Sequence, residues 1–143
     1  MTTITLKQTA AIMDGVLRKG RELKLQPLTV AVVDESGNLK GLMREDGPGG
    51  ALRPRIAFGK AHGAVGMGKS SRALEAMAID RPHFFAALAA TASGNLVPVP
   101  GGVLIRGTDG QLLGAVGVSG DTSDNDEKSA VAGIEAAGLR PEA

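Results

Sequence analysis

Two hairpin patterns constrain the fold of this chain more strongly than any other feature of its sequence. In the first, Leu28–Asp34 is apolar on both alternating faces and is followed by the turn residues Ser36–Asn38 and a second strand, Leu39–Arg44. In the second, one or two strands within Leu96–Arg106 precede an Asp-Gly turn and the strand Leu112–Val118. Because strands joined by short turns pair antiparallel, the sequence predicts an antiparallel sheet whose first strand is covered on both faces.

Helical patterns flank and separate the two hairpins. A capping box at Thr5–Gln8 opens an amphipathic helix that extends to about Leu23, with Pro27 expected to end it. Thr122 caps a last helix with an acidic first turn, and Gly138 stops it. The element order therefore predicts an α+β fold, with helices packed on the antiparallel sheet as one domain over residues 1–143.

The middle of the chain, residues 51–93, is rich in helix-forming residues. Breaks at Gly66–Gly68 and at Arg81-Pro82 divide it into two or three helices. Part of this segment, Gly63–Ser70, has the spacing of a phosphate-binding P-loop, which requires a buried strand immediately before it. The residues that precede it favour a helix, so we interpret the segment as a glycine-rich helix end.

Composition limits the classes of partner and cofactor. A net charge of +1 and only three aromatic residues argue against nucleic-acid binding, and the absence of cysteine excludes disulfides and iron–sulfur clusters. No apolar run approaches the roughly 20 residues of a membrane span, and the first residues do not have the pattern of a secretory signal. We therefore expect a cytoplasmic protein. A core of small aliphatic residues and 21 glycines leads to the hypothesis that the chain gains further burial by self-association.

Several short motifs lie at the strands and helices of the second half of the chain. They are Val99–Ile105, Asp109-Gly110, Gly114–Gly120, Asp126-Glu127 and Ala132-Gly133, with Lys60-Ala61 and the Val32–Gly37 hairpin upstream. In these motifs the chain resembles the HbpS/GlcG family of haem-degrading and haem-binding domains, which includes the C-terminal domain of PduO-type proteins. The sequence departs from the family pattern at Leu104, where proline is usual, and at His62, near which threonine is typical.

The resemblance implies a profilin-like arrangement of α/β/α layers around a five-stranded antiparallel sheet. It also implies homo-oligomers, from dimer to octamer, and binding of haem or a corrinoid in some members. The leading hypothesis is therefore a cytoplasmic, oligomeric protein that binds a small ligand of the haem or tetrapyrrole class. No other cofactor is predicted, and no metal-ligand spacing is present in the sequence.

The chain has two histidines, and His62 is the candidate haem ligand or proton shuttle. Met67 is a candidate second contact to the cofactor, although methionine more often fills a core. The alternative for His62 is a packed polar or surface histidine, and for His83 a residue at the start of a helix.

A cluster of charged residues supports a second hypothesis, a cofactor-independent isomerase, lyase or hydrolase acting on a small carboxylate or carbonyl compound. Arg44, Arg53 and Arg55 would bind the anion, since arginine offers a bidentate fork, and Asp46, His62 or Lys60 would move protons. The alternatives are a solvated charged turn and a purely structural oligomer. A further anion-binding candidate is the helix start at residues 121–123, where simple capping is the competing interpretation.

Overall fold

The computed structural model describes residues 3–143, and in this range the chain forms five helices and five strands. The helices are α1 (Leu6–Glu22), α2 (Arg53–Met67), α3 (Ser71–Asp80), α4 (Pro82–Thr91) and α5 (Ser123–Ala136). The strands are β1 (Thr29–Asp34), β2 (Leu39–Arg44), β3 (Gly102–Arg106), β4 (Leu112–Ser119) and β5 (Arg140–Glu142).

The strands form one antiparallel sheet in the order β2-β1-β4-β3-β5. The two predicted hairpins are joined where β1 pairs with β4, placing Val32 opposite Val116. β1 and β4 are therefore central, while β2 and β5 are the edges. The predicted fold class, α+β with helices packed on a five-stranded antiparallel sheet, is confirmed.

Each face of the sheet carries its own layer of helices, because alternate side chains of a strand point to opposite faces. One core joins the sheet to α1 and α5 through Ile12, Val16, Val30, Val32, Val116, Val118 and Ile134. The opposite core joins it to α2 through Val33, Ala61, Ala64, Leu104 and Ala115. The prediction that the first strand is covered on both faces is confirmed.

The α2 helix lies unusually close to the sheet because glycines face it from β3 and β4. A Cβ atom at Gly117 would overlap the carbonyl oxygen of Ala57, and one at Gly102 would overlap the carbonyl oxygen of Lys60. This close approach fixes the position of α2, which carries five of the seven predicted site residues.

The ends of α1 follow the predicted capping box but not the predicted stop. The Thr5 side chain accepts from the backbone N–H of Gln8, and the Gln8 side chain accepts from that of Thr5. The helix ends because Lys24 is left-handed, with φ of 56°, and the Leu25 N–H donates to the carbonyl oxygen of Gly20 at 3.0 Å. Pro27 lies beyond this turn and does not end the helix.

The fifth strand is not where the sequence indicated. Of the segment predicted to hold one or two strands, only Gly102–Arg106 is a strand, since Pro98 and Pro100 lack the N–H that a ladder requires. The fifth strand is β5, after the last helix, and it pairs with β3 so that Ile105 is opposite Pro141.

The middle segment forms three helices with breaks at the two predicted places. Gly68, with φ of 67°, ends α2, and Arg81 precedes Pro82 at the start of α4. The P-loop-like segment is the second half of α2 followed by the cap of α3, in which the Ser70 hydroxyl accepts from the N–H of Ala73. Helix precedes it instead of a strand, which confirms the interpretation as a glycine-rich helix end.

Between residues 3 and 143, none of the helices has both the length and the apolar character needed to cross a membrane.

Candidate functional site

His62 and Met67 line one groove between α2 and α4. Its volume is about 250 Å³, and the segment after α4 closes one side. The lining residues are His62, Gly63, Gly66, Met67, Leu88, Thr91, Ala92, Asn95 and Leu96. The groove is therefore mostly apolar and carries no acidic or basic side chain besides the imidazole.

The His62 ring is held in place from two sides. Its Nδ1 atom lies 2.9 Å from the carbonyl oxygen of Gly37, in the turn between β1 and β2, and the ring stacks on Phe58 with centroids 5.0 Å apart. A carbonyl oxygen only accepts, so Nδ1 carries the proton in this hydrogen bond and Nε2 is left with a free lone pair. In the neutral ring, this tautomer leaves Nε2 as the nitrogen that could bind a metal.

The other residues named with His62 lie elsewhere. Arg55 is exposed and does not line the groove, although it is seven residues from His62 on the same helix. His83 is exposed in the first turn of α4, in agreement with a helix-start residue. The structure therefore separates one histidine in a groove from one on the surface.

Lys60 is buried in an ion pair. Its Nζ atom lies 3.2 Å from Oδ2 of Asp126, in the first turn of α5, and donates to the carbonyl oxygen of Val118 at 2.8 Å. Both charged side chains are only 2% exposed. The pair connects the helical layers on the two faces of the sheet at the end of β4, because α2 and α5 pack on opposite faces.

The pKa values of the pair shift in the directions that burial dictates. Burial lowers the pKa of Lys60, and the attraction of Asp126 opposes that shift only in part. Burial likewise raises the pKa of Asp126, against the attraction of Lys60 and a hydrogen bond from the Asp121 N–H. Because its Nζ atom already donates hydrogen bonds to Asp126 and to the Val118 carbonyl oxygen, Lys60 connects elements of the fold. Its part in proton transfer stays a prediction.

Two of the three predicted anion-binding arginines come together. Arg44, at the end of β2, and Arg53, at the start of α2, line one small pocket with the glycine-rich loop 47–50. Asp46 lies outside this small pocket, but it lines a neighbouring, more open one together with Arg44, Arg21 and Met43. The arrangement brings two cations together without the predicted general base.

In the range 3–143, no group of three or more histidine, aspartate and glutamate side chains is placed to hold a metal ion. Of the residues that line the groove, His62 is the one with an imidazole, and Met67 adds a thioether. Such a site suits a metal that arrives already bound in an organic ligand rather than a bare ion, which needs several protein ligands.

Comparison with known proteins identifies the family. The sequence profile of the family described as "Haem degrading protein HbpS-like" matches residues 4–135. The chain belongs to the HbpS-like family. A comparison with curated proteins found no match to the sequence.

Solved structures share the HbpS-like fold along nearly the whole chain. A crystal structure of a PduOC–haem complex is 22% identical, with a TM-score of 0.85 and 99% of both chains covered. The Klebsiella pneumoniae protein ORFY is 25% identical, with a TM-score of 0.84 and coverage of 96% of this chain and 92% of that one. A double mutant of HbpS from Streptomyces reticuli is 24% identical, with a TM-score of 0.80 and coverage of 94% and 87%. The predicted family and fold are confirmed.

Sequence reasoning missed the partners of two candidate site residues, His62 and Lys60. Gly37 was predicted only as a turn residue, and Asp126 only as part of an acidic helix start. The family motifs contain both residues, but no spacing in the sequence connects Gly37 to His62 or Asp126 to Lys60. Leu88 and Leu96, which complete the groove, have only the ordinary pattern of core residues.

Proposed function

We propose that this protein binds haem in the groove between α2 and α4, with the His62 imidazole as the ligand to iron. The observation that carries the proposal is the 2.9 Å hydrogen bond between Nδ1 of His62 and the Gly37 carbonyl oxygen. Histidines that bind metals through one ring nitrogen usually donate the other N–H to a carbonyl or carboxylate, which fixes the ring. Membership of a family described as haem-degrading and a fold shared with a crystallised PduOC–haem complex support the proposal.

The residues of the groove fit part of a haem. Leu88, Leu96 and Met67 present apolar surface, and Phe58 supports the imidazole from behind. Sites that enclose a drug-sized ligand measure roughly 300–1,000 Å³, so a groove of about 250 Å³ leaves some of the haem outside. No charged side chain lines the groove, so its residues would contact the apolar part of the porphyrin and would offer no ionic partner to the propionates.

Met67 is proposed as a packing contact and not as a second iron ligand. Ligands on the two sides of a haem iron approach from opposite faces of the porphyrin, whereas Met67 follows His62 by five residues on the same helix. Both side chains project from this one helix into the lining of the groove, so Met67 would contact the ligand from the same wall as His62.

Bound haem would supply a redox-active iron, and the chain's own residues hold it. His62 would continue to donate its Nδ1–H to the Gly37 carbonyl oxygen and would bind iron through Nε2. The apolar wall of the groove would exclude water from one side. A cofactor-independent enzyme is the weaker hypothesis, because Lys60 is buried in an ion pair and Asp46 does not line the arginine pocket.

His62→Ala is expected to abolish the spectrum of a histidine-ligated haem and to weaken haemin binding by at least roughly 10-fold. The substitution removes the only imidazole of the groove. Haemin titration of the purified protein, followed in the Soret region, measures both effects. Met67→Leu is expected to keep the ligated spectrum, because leucine preserves the apolar contact.

His83→Ala is the matched control, since it removes the exposed histidine and leaves the groove intact. A saturating Soret shift that survives in His83→Ala and disappears in His62→Ala supports the site. A weak response of equal size in all the proteins would mean surface adsorption of haemin and would end the haem proposal.

Self-association belongs to the same proposal. The β2 strand has an unpaired outer edge with exposed Leu39 and Met43, and such edges are the usual places for strand pairing between chains. A second copy would cover apolar surface that one chain leaves in solvent. Light scattering coupled to size exclusion is expected to give a molar mass that is a multiple of 14.5 kDa, and a monomer at all concentrations would contradict this.

A cytoplasmic location stays a prediction.

A further inference from the structure

The small pocket between β1, β2 and α2 has the properties of an anion site separate from the haem groove. Thr29, at the first residue of β1, lines the pocket, whereas Gly37 and His62 meet beyond the last residue of that strand. A six-residue strand places the two sites about 17 Å apart. A ligand in this pocket therefore does not touch the groove.

Two guanidinium groups without acidic partners line the pocket. Among residues 3–143, neither Arg44 nor Arg53 forms an ion pair. Glu45 also lines the pocket, but its carboxylate accepts from Arg21 at 3.0 and 3.1 Å and from the Leu28 N–H at 2.8 Å. The two arginine charges are therefore not neutralised by a direct ion pair.

The neighbouring carboxylate, Asp121, also accepts hydrogen bonds at both of its oxygens. Its Oδ1 atom accepts from the Thr122 N–H and the Asn125 side chain, and its Oδ2 atom accepts from the Gln26 N–H. The hydrogen bonds from Asn125, Gln26 and Thr122 hold the pKa of Asp121 below its usual value, and the charge of Arg53 adds a smaller effect in the same direction. Asp121 is therefore not free to turn towards the arginines.

The start of α2 adds to the positive charge. Its first turn carries no acidic residue, and its N-cap residue, Leu52, offers no side-chain acceptor to the first amides. Arginines in the first turn oppose the helix dipole, which favours negative charge at that end. A bound anion would relieve this repulsion.

The glycine-rich loop shapes the pocket around Arg53. Gly50 has φ of 82°, and the Arg53 side chain lies where a Cβ at Gly50 would be. The Arg53 N–H also donates to the Gly50 carbonyl oxygen at 2.9 Å. The guanidinium is therefore held against the loop instead of extending freely into solvent.

The volume of the pocket limits what it can hold. It measures about 40 Å³, and on the same measure a cavity needs roughly 10–15 Å³ to hold one water. One carboxylate or phosphate group fits, but a porphyrin does not. Arginine pairs recognise such groups through parallel N–H···O bonds.

We propose that this pocket binds one oxyanion group, the carboxylate or phosphate of a small molecule, between Arg44 and Arg53. The rest of such a molecule extends from the open side of the pocket over the 47–50 loop. This assigns to the protein a second ligand of a chemical class different from haem.

The test measures thermal unfolding of the full chain at low ionic strength with millimolar sodium phosphate or sodium malonate. Sodium chloride at equal ionic strength is the reference, because general screening acts through ionic strength alone. We expect a saturable rise in Tm with at least one of the two anions. The stronger of the two identifies the source of the group as phosphate or carboxylate.

Arg44→Gln and Arg53→Gln are each expected to weaken binding of that anion by at least roughly 10-fold. Arg55→Gln is the matched control. Arg55 is exposed and lies in the same helical turn as Arg53, but it does not line the pocket. Isothermal titration calorimetry gives the affinities, and circular dichroism checks that each variant is folded.

Three results would overturn the proposal: no rise in Tm beyond that with chloride, undiminished binding in both pocket variants, or an equal loss in Arg55→Gln. The haem proposal is tested separately, since Arg44→Gln is expected to keep the Soret response of the unmodified protein. A protein that binds haemin but neither anion would refute only the pocket.

Discussion

Lys60→Met is expected to lower the free energy of unfolding by about 3–5 kcal/mol at neutral pH, the usual effect of breaking a buried ion pair from one side. Methionine fills much of the space of the lysine stem, so the loss arises chiefly from charge. Asp126, which is 2% exposed, would keep its carboxylate without the Nζ atom that now lies 3.2 Å away. Denaturant unfolding followed by circular dichroism measures the change.

The loss of stability in Lys60→Met is expected to depend on pH. The titration of Asp126 determines whether this loss grows or shrinks as pH rises. Burial already raises the pKa of this carboxyl above its usual 3.8, and removal of the lysine charge raises it further. The native state then binds a proton that the unfolded state has released, so stability falls as pH rises from about 3.8 to the native pKa. The difference between Lys60→Met and the unmodified protein should therefore be small in acid and reach its full size above the raised pKa.

A double-mutant cycle separates the ion pair from the packing. Asp126→Asn retains an acceptor for the Asp121 N–H, which now donates to Oδ1 of Asp126 at 2.9 Å. Lys60→Met combined with Asp126→Asn is expected to recover much of the stability lost in Lys60→Met. Additive losses at every pH would show that the two charges do not interact, contrary to the geometry.

Most of the fold could be predicted from the sequence because its signals are local. The capping box at Thr5, the break at Gly68 and the Arg81-Pro82 boundary each depend on residues within one turn. The fifth strand could not be predicted in this way. Residues Arg140–Glu142 are too few for an alternating pattern and contain a proline, and their strand character comes from pairing with β3, more than 30 residues away.

The site was predictable in its residue types but not in its partners. His62 was named because imidazole binds iron, and the structure places it in a groove, yet Gly37 and α4 reach it only through tertiary packing. Lys60 was named as a proton carrier, but its environment depends on Asp126, 66 residues later. The structure brings Arg44 and Arg53 to one pocket and Asp46 to a neighbouring pocket beside Arg44, whereas Arg55 lies exposed outside both.

The groove, the ion pair and the anion pocket all depend on the position of α2. This helix carries His62 in its second half, Lys60 in its middle and Arg53 in its first turn. A shift of α2 away from the sheet would therefore affect all three. Its position is set by glycines of the sheet, which allow the helix backbone to approach β3 and β4 directly.

Gly117→Ala is expected to destabilise the protein by roughly 3 kcal/mol or more, at or beyond the upper end of the usual range for overpacking. The added Cβ would overlap the carbonyl oxygen of Ala57 and lie 2.9 Å from the backbone nitrogen of Ala61. These are backbone atoms of α2, so no side-chain rotation relieves the clash. Alanine is otherwise favoured over glycine within a strand, which leaves the close approach as the cause of the loss.

Gly66→Ala is the matched control for this prediction, because it adds the same methyl group to α2 where no atom outside the adjacent helix backbone lies within 4 Å. Gly66 lies in the last turn of α2, so its replacement by alanine is expected to stabilise the protein by at most roughly 0.5–1 kcal/mol. Opposite signs for the two substitutions, measured by thermal and denaturant unfolding, would show that α2 is in direct contact with β4. A Gly117→Ala protein as stable as the original would mean that α2 can move outward, and with it the imidazole, the buried lysine and the pocket arginine that the helix positions.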